Sequence, residues 1–204
     1  MNKLLLCSII MLLAACSSSP VQNINYYLLS DTSALAAENR RDPAKPIVVL
    51  KQVRLSGYLD RANLAMQLKD HQLYYSKQDF WAEPLQLGIQ KALLADMSSA
   101  ASPIELVSAA SPLARQSHSQ LSIQIDHFIS TYQSQVLISG QYWLQTTAQE
   151  EQQSRVEVRA FKFVAELHQD GYAHSVSQLR ALVTQMSQQV SETSKAMIEN
   201  GVKL

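Results

Sequence analysis

Hydrophobic and polar residues alternate along two long segments in the second half of the chain. A polar pair, Gln133 and Ser134, separates the two segments. The apolar side chains are Leu121, Ile123 and Ile125 in the first segment and Val136, Ile138, Tyr142 and Leu144 in the second. A period of two places one row of side chains in a core and the opposite row in water. The pattern therefore predicts two antiparallel strands with one buried face and one wet face.

A third segment follows a polar turn at residues 150–154 and changes the phase of its apolar positions. Val156 and Val158 occupy even positions, whereas Phe161 and Phe163 occupy odd positions. A shift of one residue reverses the face to which a strand directs its side chains, and a β-bulge is the simplest way to restore one buried face. We therefore expect a third strand of the same meander, with a bulge near Ala160.

Shorter strands are predicted in the first half of the chain, where β-branched and apolar residues cluster between turn residues. Residues 47–55 begin apolar on both faces and predict an interior strand. Asp70 and His71 form the turn of a predicted hairpin. The predicted strands cover residues 26–29, 47–55, 64–68, 73–75 and 104–107, with loops at 31–46 (including a helical turn at 33–38), 56–61 and 108–117.

Two helices are predicted from apolar residues that recur at helical spacing. The first begins at Pro84, and the second begins at a capping box in residues 175–178 and ends at Gly201. Their stripes are Leu85, Ile89, Leu93 and Met97, then Val176, Leu179, Val183, Met186, Val190, Thr193 and Met197. We expect the second stripe to pack on the protein's own sheet, with a coiled coil or partner helix as the alternative. The segments together predict a single α+β domain, an antiparallel or mixed sheet packed by a mid-chain helix and a long C-terminal helix.

The N-terminal residues have the organisation of a bacterial export signal. Lys3 precedes an apolar run over residues 4–13, which is shorter than the roughly 20 residues that a membrane span needs. The run ends in Leu-Ala-Ala-Cys at residues 13–16, which resembles the signal of bacterial lipoproteins. That resemblance implies that residues 1–15 are removed and that Cys16 carries an N-acyl group and an S-diacylglycerol. The alternative is a soluble periplasmic protein in which this cysteine occurs by chance.

The lipid anchor implies both the division of the chain into a tether and a domain and its location in the cell envelope. Cys16 and a polar tether occupy residues 16–25, and the predicted domain occupies residues 26–204. Several acyl chains hold a protein firmly on a membrane, whereas one holds it only marginally. Ser17 stands where an aspartate would be expected for retention in the inner membrane. We therefore expect an outer-membrane lipoprotein that faces the periplasm.

Composition excludes some classes of function. The chain has 17 basic and 17 acidic side chains, which argues against a nucleic-acid partner. Cys7 lies in the removed segment, so Cys16 is the only cysteine of the mature chain and no disulfide is expected. The sequence lacks the motifs of serine hydrolases, zinc proteases and phosphate-binding loops. We therefore expect no enzyme, no metal and no cofactor apart from the covalent lipid.

Two places in the sequence come nearest to a reactive site, and each contains histidine. His168, Asp170 and His174 have a spacing that could suit a metal, but they fall in the predicted turn before the last helix, where solvated polar residues are expected. His127 shares the register of Ile125 in the first long strand. We expect His127 to be half-buried and hydrogen-bonded rather than a ligand.

Aromatic residues beside turns give the clearest signal of partner binding. Of the aromatic residues between positions 26 and 81, we predict that Tyr58 and Trp81 are exposed enough to contact a partner. We assign partner binding to Tyr58, Leu59, Asp60, Arg61 and Trp81 as a hypothesis. Asp60 and Arg61 are expected to form a local ion pair, which contributes little to stability if it is exposed.

Three segments resemble one known family. They are Tyr-Tyr-Leu-Leu at residues 26–29, Val-Arg-Leu-Ser-Gly-Tyr-Leu-Asp-Arg at residues 53–61, and Trp-Ala-Glu-Pro-Leu at residues 81–85. In this order they are similar to the auxiliary lipoproteins of ABC-type intermembrane transport systems, above all those of the paraquat-inducible (Pqi) type. Ser56 departs from the family pattern, which commonly has proline there, and this change should loosen the turn slightly.

The resemblance implies a non-enzymatic subunit of a lipid transport system. Such a subunit would dock a periplasm-spanning MCE-domain protein, and through it an inner-membrane permease, to the outer membrane. A homo-oligomer around a symmetric partner is left open. The alternative function is a periplasmic lipid-binding carrier or an outer-membrane assembly factor, which would hold acyl chains itself.

Overall fold

The computed structural model of the chain describes residues 23–30, 42–147 and 154–201. Cys16, the signal segment, the predicted helical turn at residues 33–38 and most of the predicted turn at residues 150–154 lie outside these ranges. In the described part of the chain, no helix combines the length and the apolar character that crossing a bilayer requires.

The described residues form strands and helices close to the predicted positions, except that the strand predicted at residues 73–75 runs from Gln72 to Trp81. Short 3-10 turns occupy Gly57–Leu59 and Pro112–Gln116. The strands are β1 (Asn25–Tyr27), β2 (Ile47–Leu55), β3 (Asn63–Lys69), β4 (Gln72–Trp81), β5 (Glu105–Ser108), β6 (Ser119–Thr131), β7 (Gln135–Thr147) and β8 (Ser154–Glu166). The helices are α1 (Leu85–Met97) and α2 (Tyr172–Gly201). Helix α2 begins three residues before the predicted capping box, directly after Gly171, whose φ of 103° suits glycine.

The strands form one mixed sheet in which β6 has neighbours on both sides. On one side, β7 and β8 continue as the predicted antiparallel meander. On the other side, β2 pairs in parallel with the first half of β6, and β3 pairs in parallel with its last two residues. Strand β5 extends the sheet beyond β2, while β4 and then β1 extend it beyond β3. Strand β6 therefore holds the two halves of the sheet together.

Both helices pack on one face of the sheet and share its hydrophobic core. The predicted stripe of α1 is buried, and so is that of α2, apart from a half-buried Thr193. Arg180 of α2 donates two hydrogen bonds to the Asp96 carboxylate of α1, at 2.5 and 2.9 Å. These contacts confirm the predicted α+β fold and the packing of the last helix on the protein's own sheet.

Serines are buried on the face of α2 that packs on the rest of the domain. Ser187 and Ser194 are 2% and 0% exposed, and each donates its hydroxyl to the backbone oxygen four residues earlier, at 2.8 and 2.7 Å. A hydroxyl satisfied within its own helix can be buried at little cost. Small side chains at these positions therefore suit close packing of the long helix.

The predicted bulge near Ala160 is wrong. The register between β7 and β8 runs without a shift along the whole length of both strands. A bulge occurs instead on β6, where Asp126 is the extra residue between Ile125 and His127. Gly140 pairs with Ile125 beside this bulge, and a Cβ added there would lie 2.0 Å from the backbone oxygen of Gln124. The close approach of the two backbones therefore requires glycine.

Candidate partner-binding surfaces

The segment assigned to partner binding from the sequence lies where β2 ends and β3 has not yet begun. Tyr58, in the 3-10 turn, covers the bulge of β6. Its hydroxyl donates to the backbone oxygen of Asp126 at 2.9 Å, and its ring centroid lies 6.3 Å from that of His127. Tyr58 is half-buried in this position, and burial raises the pKa of its hydroxyl to about 12. The side chain is therefore a neutral hydrogen-bond donor at physiological pH.

Arg61 and Tyr75 form the adjacent part of this surface. The guanidinium carbon of Arg61 lies 4.9 Å from the centre of the Tyr75 ring, which is a cation–π contact. The Tyr75 hydroxyl donates to the backbone oxygen of Tyr58 at 3.1 Å. The ion pairs found among the described residues do not include the predicted pair of Asp60 with Arg61. Asp60 and Arg61 are nevertheless both exposed, as a contact surface requires.

The other two residues assigned to partner binding point into the core. Leu59 is 4% exposed and Trp81 is 8% exposed. The ring centroid of Trp81 lies 6.0 Å from that of Phe128 in β6. The predicted exposure of Trp81 is therefore wrong, because β4 continues to this residue and directs its last side chain inward. The aromatic residues of this region that are well exposed are Tyr26 and Tyr74, at 67% and 38%.

His127 is exposed, which corrects the predicted half-buried position. The bulge at Asp126 reverses the phase of β6, so Phe128 takes the core-facing position and His127 turns to the opposite face. The predicted hydrogen bond is present, since Nδ1 of His127 lies 2.9 Å from Oγ of Ser139. His127 and Tyr58 therefore belong to one surface.

The outer face is the face of β2, β6, β7 and β8 opposite the two helices. A shallow groove of about 270 Å³ crosses it, with Lys51 and Arg54 on one side and Trp143 and Val156 on the other. Trp143 is half-buried and pairs with Val158 of β8. The face therefore combines Trp143 with Arg54, two residue types that are enriched at protein interfaces.

Strand β8 presents an apolar edge on this outer face. Val156, Val158 and Val164 are 55%, 53% and 44% exposed. Among the described residues, β8 pairs only with β7, so its other edge offers backbone groups to a further strand. Strand edges pair with other chains unless they are protected, and β8 carries charged residues among its exposed valines. The two successive apolar phases of this strand in the sequence reflect apolar side chains on both of its faces, and not the predicted bulge.

A buried carboxylate fixes β1, the strand that follows the predicted tether. Asp79 of β4 is 8% exposed. It accepts hydrogen bonds from Asn25 at 2.9 Å, from Tyr27 at 3.0 Å and from Ser76 at 2.7 Å. Burial alone would raise the pKa of the Asp79 carboxyl, but these hydrogen bonds outweigh burial and hold the pKa below its ordinary value. Asp79 is therefore ionised and joins the N-terminal strand to the sheet.

His168, Asp170 and His174 do not form a metal centre in the described structure. Across the described ranges, no group of three histidine, cysteine, aspartate or glutamate side chains could hold a metal ion. His174 lies in the first turn of α2, and its buried Nε2 has no hydrogen-bond partner among the described residues. His168 and Asp170 belong to the loop between β8 and α2.

Comparisons with known proteins agree with this architecture. The chain is 26% identical to the intermembrane transport lipoprotein PqiC of Escherichia coli K12 over 189 residues, which is 91% of this chain and 93% of the relative. A crystal structure of an uncharacterised protein superposes with a TM-score of 0.67 and 23% identity, covering 84% of this chain and 98% of the other. The crystal structure of XCC0632 from Xanthomonas campestris has a TM-score of 0.61 and 17% identity, covering 80% and 94%. At these identities the two structures support the fold alone.

The model of one protein family matches most of the chain. Residues 27–191 match the ABC-type transport auxiliary lipoprotein component. The match includes all of β2 to β8, and it includes most of α2. The chain therefore belongs to this family, which confirms the resemblance seen in the three sequence segments.

Proposed function

We propose that this ABC-type transport auxiliary lipoprotein is a non-enzymatic docking subunit of an intermembrane lipid transport system. Its lipidated Cys16 anchors the domain to the outer membrane, and the domain binds a periplasm-spanning MCE-type protein that works with an inner-membrane permease. Family membership supports a role as an auxiliary transport component. The name of the E. coli relative supports intermembrane transport as the process.

The observation that carries the docking role is the outer face of the sheet, which neither of the two helices covers. The helices bury the opposite face, whereas the edge strand β8 leaves Val156 and Val158 more than half exposed beside Trp143. Covering both valines would contribute about 2 kcal/mol, since full burial of one such side chain contributes about 1.5–3 kcal/mol. A partner strand added to β8 would gain backbone hydrogen bonds as well.

The second end of this interface is the surface of Tyr58, Asp60 and Arg61. His127 shares the outer face with Ser139, and Ser139 lies four residues before Trp143 on the same strand. At about 3.4 Å per residue, some 14 Å separates these positions. One partner of ordinary interface size can therefore contact both ends.

Co-purification from detergent-solubilised envelopes tests the docking role. We expect the wild-type chain to retain an MCE-type protein, and the variant Val158→Glu to lose most of it, because a charge on the edge must be desolvated on binding. Leu87→Glu is the matched control: Leu87 is 41% exposed on α1, away from the outer face, and a glutamate suits the first turn of a helix.

Three results of this experiment would count against the proposal. Retention of the MCE-type protein by Val158→Glu would exclude the β8 edge as its site. Loss of retention by Leu87→Glu to the same degree would exclude a site restricted to the outer face. A change in oligomeric state of Val158→Glu, with retention intact, would assign the edge to contacts between copies of this chain.

The anchor and the lipid-carrier alternative have separate tests. Replacing Cys16 by serine should leave the unfolding curve of the domain unchanged and remove the protein from the outer-membrane fraction. Mass spectrometry of the purified wild-type protein should detect acyl chains on Cys16. It should detect no stoichiometric lipid that is bound without a covalent bond. A stoichiometric co-purifying lipid would favour a carrier over a docking subunit.

A further inference from the structure

Two hairpin tips meet at one end of the sheet and expose apolar side chains there. The tip of the β3–β4 hairpin is joined to the β6–β7 turn by the pairing of Gln67 with Thr131. Tyr132 donates its hydroxyl to the Asp70 carboxylate at 2.7 Å across the two tips. The apolar tip is defined by four residues that are between 38% and 48% exposed: Leu68, Leu73, Tyr74 and Tyr132.

The apolar tip differs from an ordinary interface patch because it is apolar on both faces of the hairpin. Leu73 pairs with Gln67, and the next residue, Tyr74, pairs with Met66. Successive residues of a strand point to opposite faces, so Leu73 and Tyr74 project in opposite directions. A protein surface could cover only one of these faces, whereas a bilayer surrounds an inserted tip on all sides.

The charges at the tip suit a lipid headgroup region. Lys69 and His71 are exposed beside the leucines, and the carboxylate of Asp70 is engaged by Tyr132. Tyrosine and leucine together are typical of segments that lie at the boundary between headgroups and acyl chains. The Lys69 ammonium adds attraction to anionic lipids, which the neighbouring Asp70 carboxylate partly offsets.

Strand β1 runs in the direction that leads away from the apolar tip. Strand β1 runs parallel to β4, with Asn25 beside Asp79. Residues 23 and 24, the described residues before Asn25, therefore lie on the side of Asn25 towards Gln72, the first residue of β4 and a neighbour of the tip. Asp79 lies seven residues from Gln72, or about 24 Å along the strand. Cys16 lies nine residues from Asn25, and nine residues reach at most about 30 Å. This length exceeds the distance of about 24 Å along the strand, so the tether is long enough for the acyl chains and the apolar tip to enter the same membrane.

We propose that the apolar tip inserts into the lipid bilayer that carries the acyl chains of Cys16, and so fixes the orientation of the domain on that membrane. The inference rests on the anchor of the proposed function but not on the docking of a partner. In this orientation the strands stand upright on the membrane, and the outer face and the β8 edge face sideways into the periplasm. The tip is thus a second membrane contact that restricts rotation about the tether.

Fluorescence quenching in proteoliposomes tests this orientation. The acylated full-length mature chain has no free thiol, so a single introduced cysteine can be labelled with an environment-sensitive NBD probe. The test variant is Leu73→Cys, and the matched control is Leu87→Cys on α1, because their side chains are 38% and 41% exposed. The vesicles consist of phosphatidylethanolamine and phosphatidylglycerol with a nitroxide on some acyl chains.

We expect the probe at position 73 to be quenched at least about twofold more than the probe at position 87, because an inserted side chain lies roughly 5–10 Å into the headgroup–acyl boundary. Adding Leu68→Ser and Tyr74→Ser to Leu73→Cys should abolish the difference while the protein stays on the vesicles. Equal quenching at positions 73 and 87 would overturn the proposal.

Other outcomes are also decisive. Protection of position 73 only when the MCE-type protein is added would assign the apolar tip to a protein partner and overturn the bilayer contact. A wild-type chain that fails to float with the vesicles would refute the anchor and this orientation together. The quenching comparison itself is made in vesicles without a transport partner, so it does not depend on the Val158→Glu experiment, and either proposal can fail alone.

Discussion

Replacing Asp79 by alanine should destabilise the domain and release its N-terminal strand. Strand β1 has only three residues and is held to β4 by three residue pairs. The Asp79 carboxylate adds side-chain hydrogen bonds from both Asn25 and Tyr27 to this short contact. Loss of the carboxylate therefore removes the main side-chain link between β1 and the rest of the sheet.

The size of this loss in unfolding free energy depends on how many of the three hydrogen-bond donors to Asp79 can find water as a new partner. A hydrogen bond to a charged group contributes about 1.5–3 kcal/mol, and a buried donor left without a partner adds a similar penalty. Asn25 is exposed and Tyr27 is half-buried, so both can turn to water, whereas Ser76 is 4% exposed. We therefore expect Asp79→Ala to lower the free energy of unfolding by about 2–3 kcal/mol rather than by the sum of three full bonds.

The same carboxylate predicts a dependence on pH. The folded-state pKa of Asp79 is lowered by its hydrogen bonds. Its stabilisation is therefore fully present above the unfolded-state pKa and is lost as the pH falls through the folded-state pKa. Wild-type stability should fall in this acidic range, and Asp79→Asn should lack that part of the fall because an amide does not titrate.

Urea unfolding across this pH range measures both effects, and limited proteolysis near residue 25 measures the release of β1. Asp70→Ala is the control, because Asp70 is exposed and accepts one hydrogen bond from Tyr132. It should change stability by about 0.5 kcal/mol or less. The reasoning fails if Asp79→Ala costs no more than this control, or if cleavage near residue 25 is equally slow in both variants.

Three further predictions concern the core, the bulge and the turn over it. Trp81→Ala should cost about 3–5 kcal/mol in urea unfolding, and normal stability with impaired co-purification would instead restore its assignment to partner binding. Gly140→Ala should cost more than about 2 kcal/mol, or prevent folding, because its Cβ would lie 2.0 Å from the backbone oxygen of Gln124; a fully stable variant would disprove the close approach. In an ultraviolet titration, Tyr58 should ionise at about 12, and Tyr58→Phe should lose that step. Because the folded-state pKa of Tyr58 is raised, its contribution to stability is lost as the pH rises through that value.

The chain sequence was sufficient for the position and type of most elements. Strand β2 begins and ends at the predicted residues, and the buried stripe of α1 contains the four predicted residues. These features depend on spacing along the chain, because the period of the backbone determines which side chains share a face. The N-terminal Leu-Ala-Ala-Cys, read as a lipoprotein signal, is equally local and lies outside the described residues.

The predictions of which strand face is buried failed where the pairing with a neighbouring strand decides the direction of the side chains. The change of phase in β8 had two readings, a bulge or apolar residues on both faces. Only the uninterrupted pairing with β7 chooses the second and leaves Val156 and Val158 exposed. The bulge at Asp126 is marked in the sequence of β6 only by a change of apolar phase from Ile125 to Phe128. In the structure it lies where β2 leaves this strand and β3 takes its place.

The sequence by itself therefore determined the elements, the core-facing stripes and the resemblance to a lipoprotein family. The tertiary structure alone decided which aromatic and apolar residues reach the surface: Trp81 is buried, whereas Tyr74 and Val158 are exposed. The physical reason is that burial depends on what packs over a residue, and parallel pairing and helix coverage join segments that are far apart along the chain.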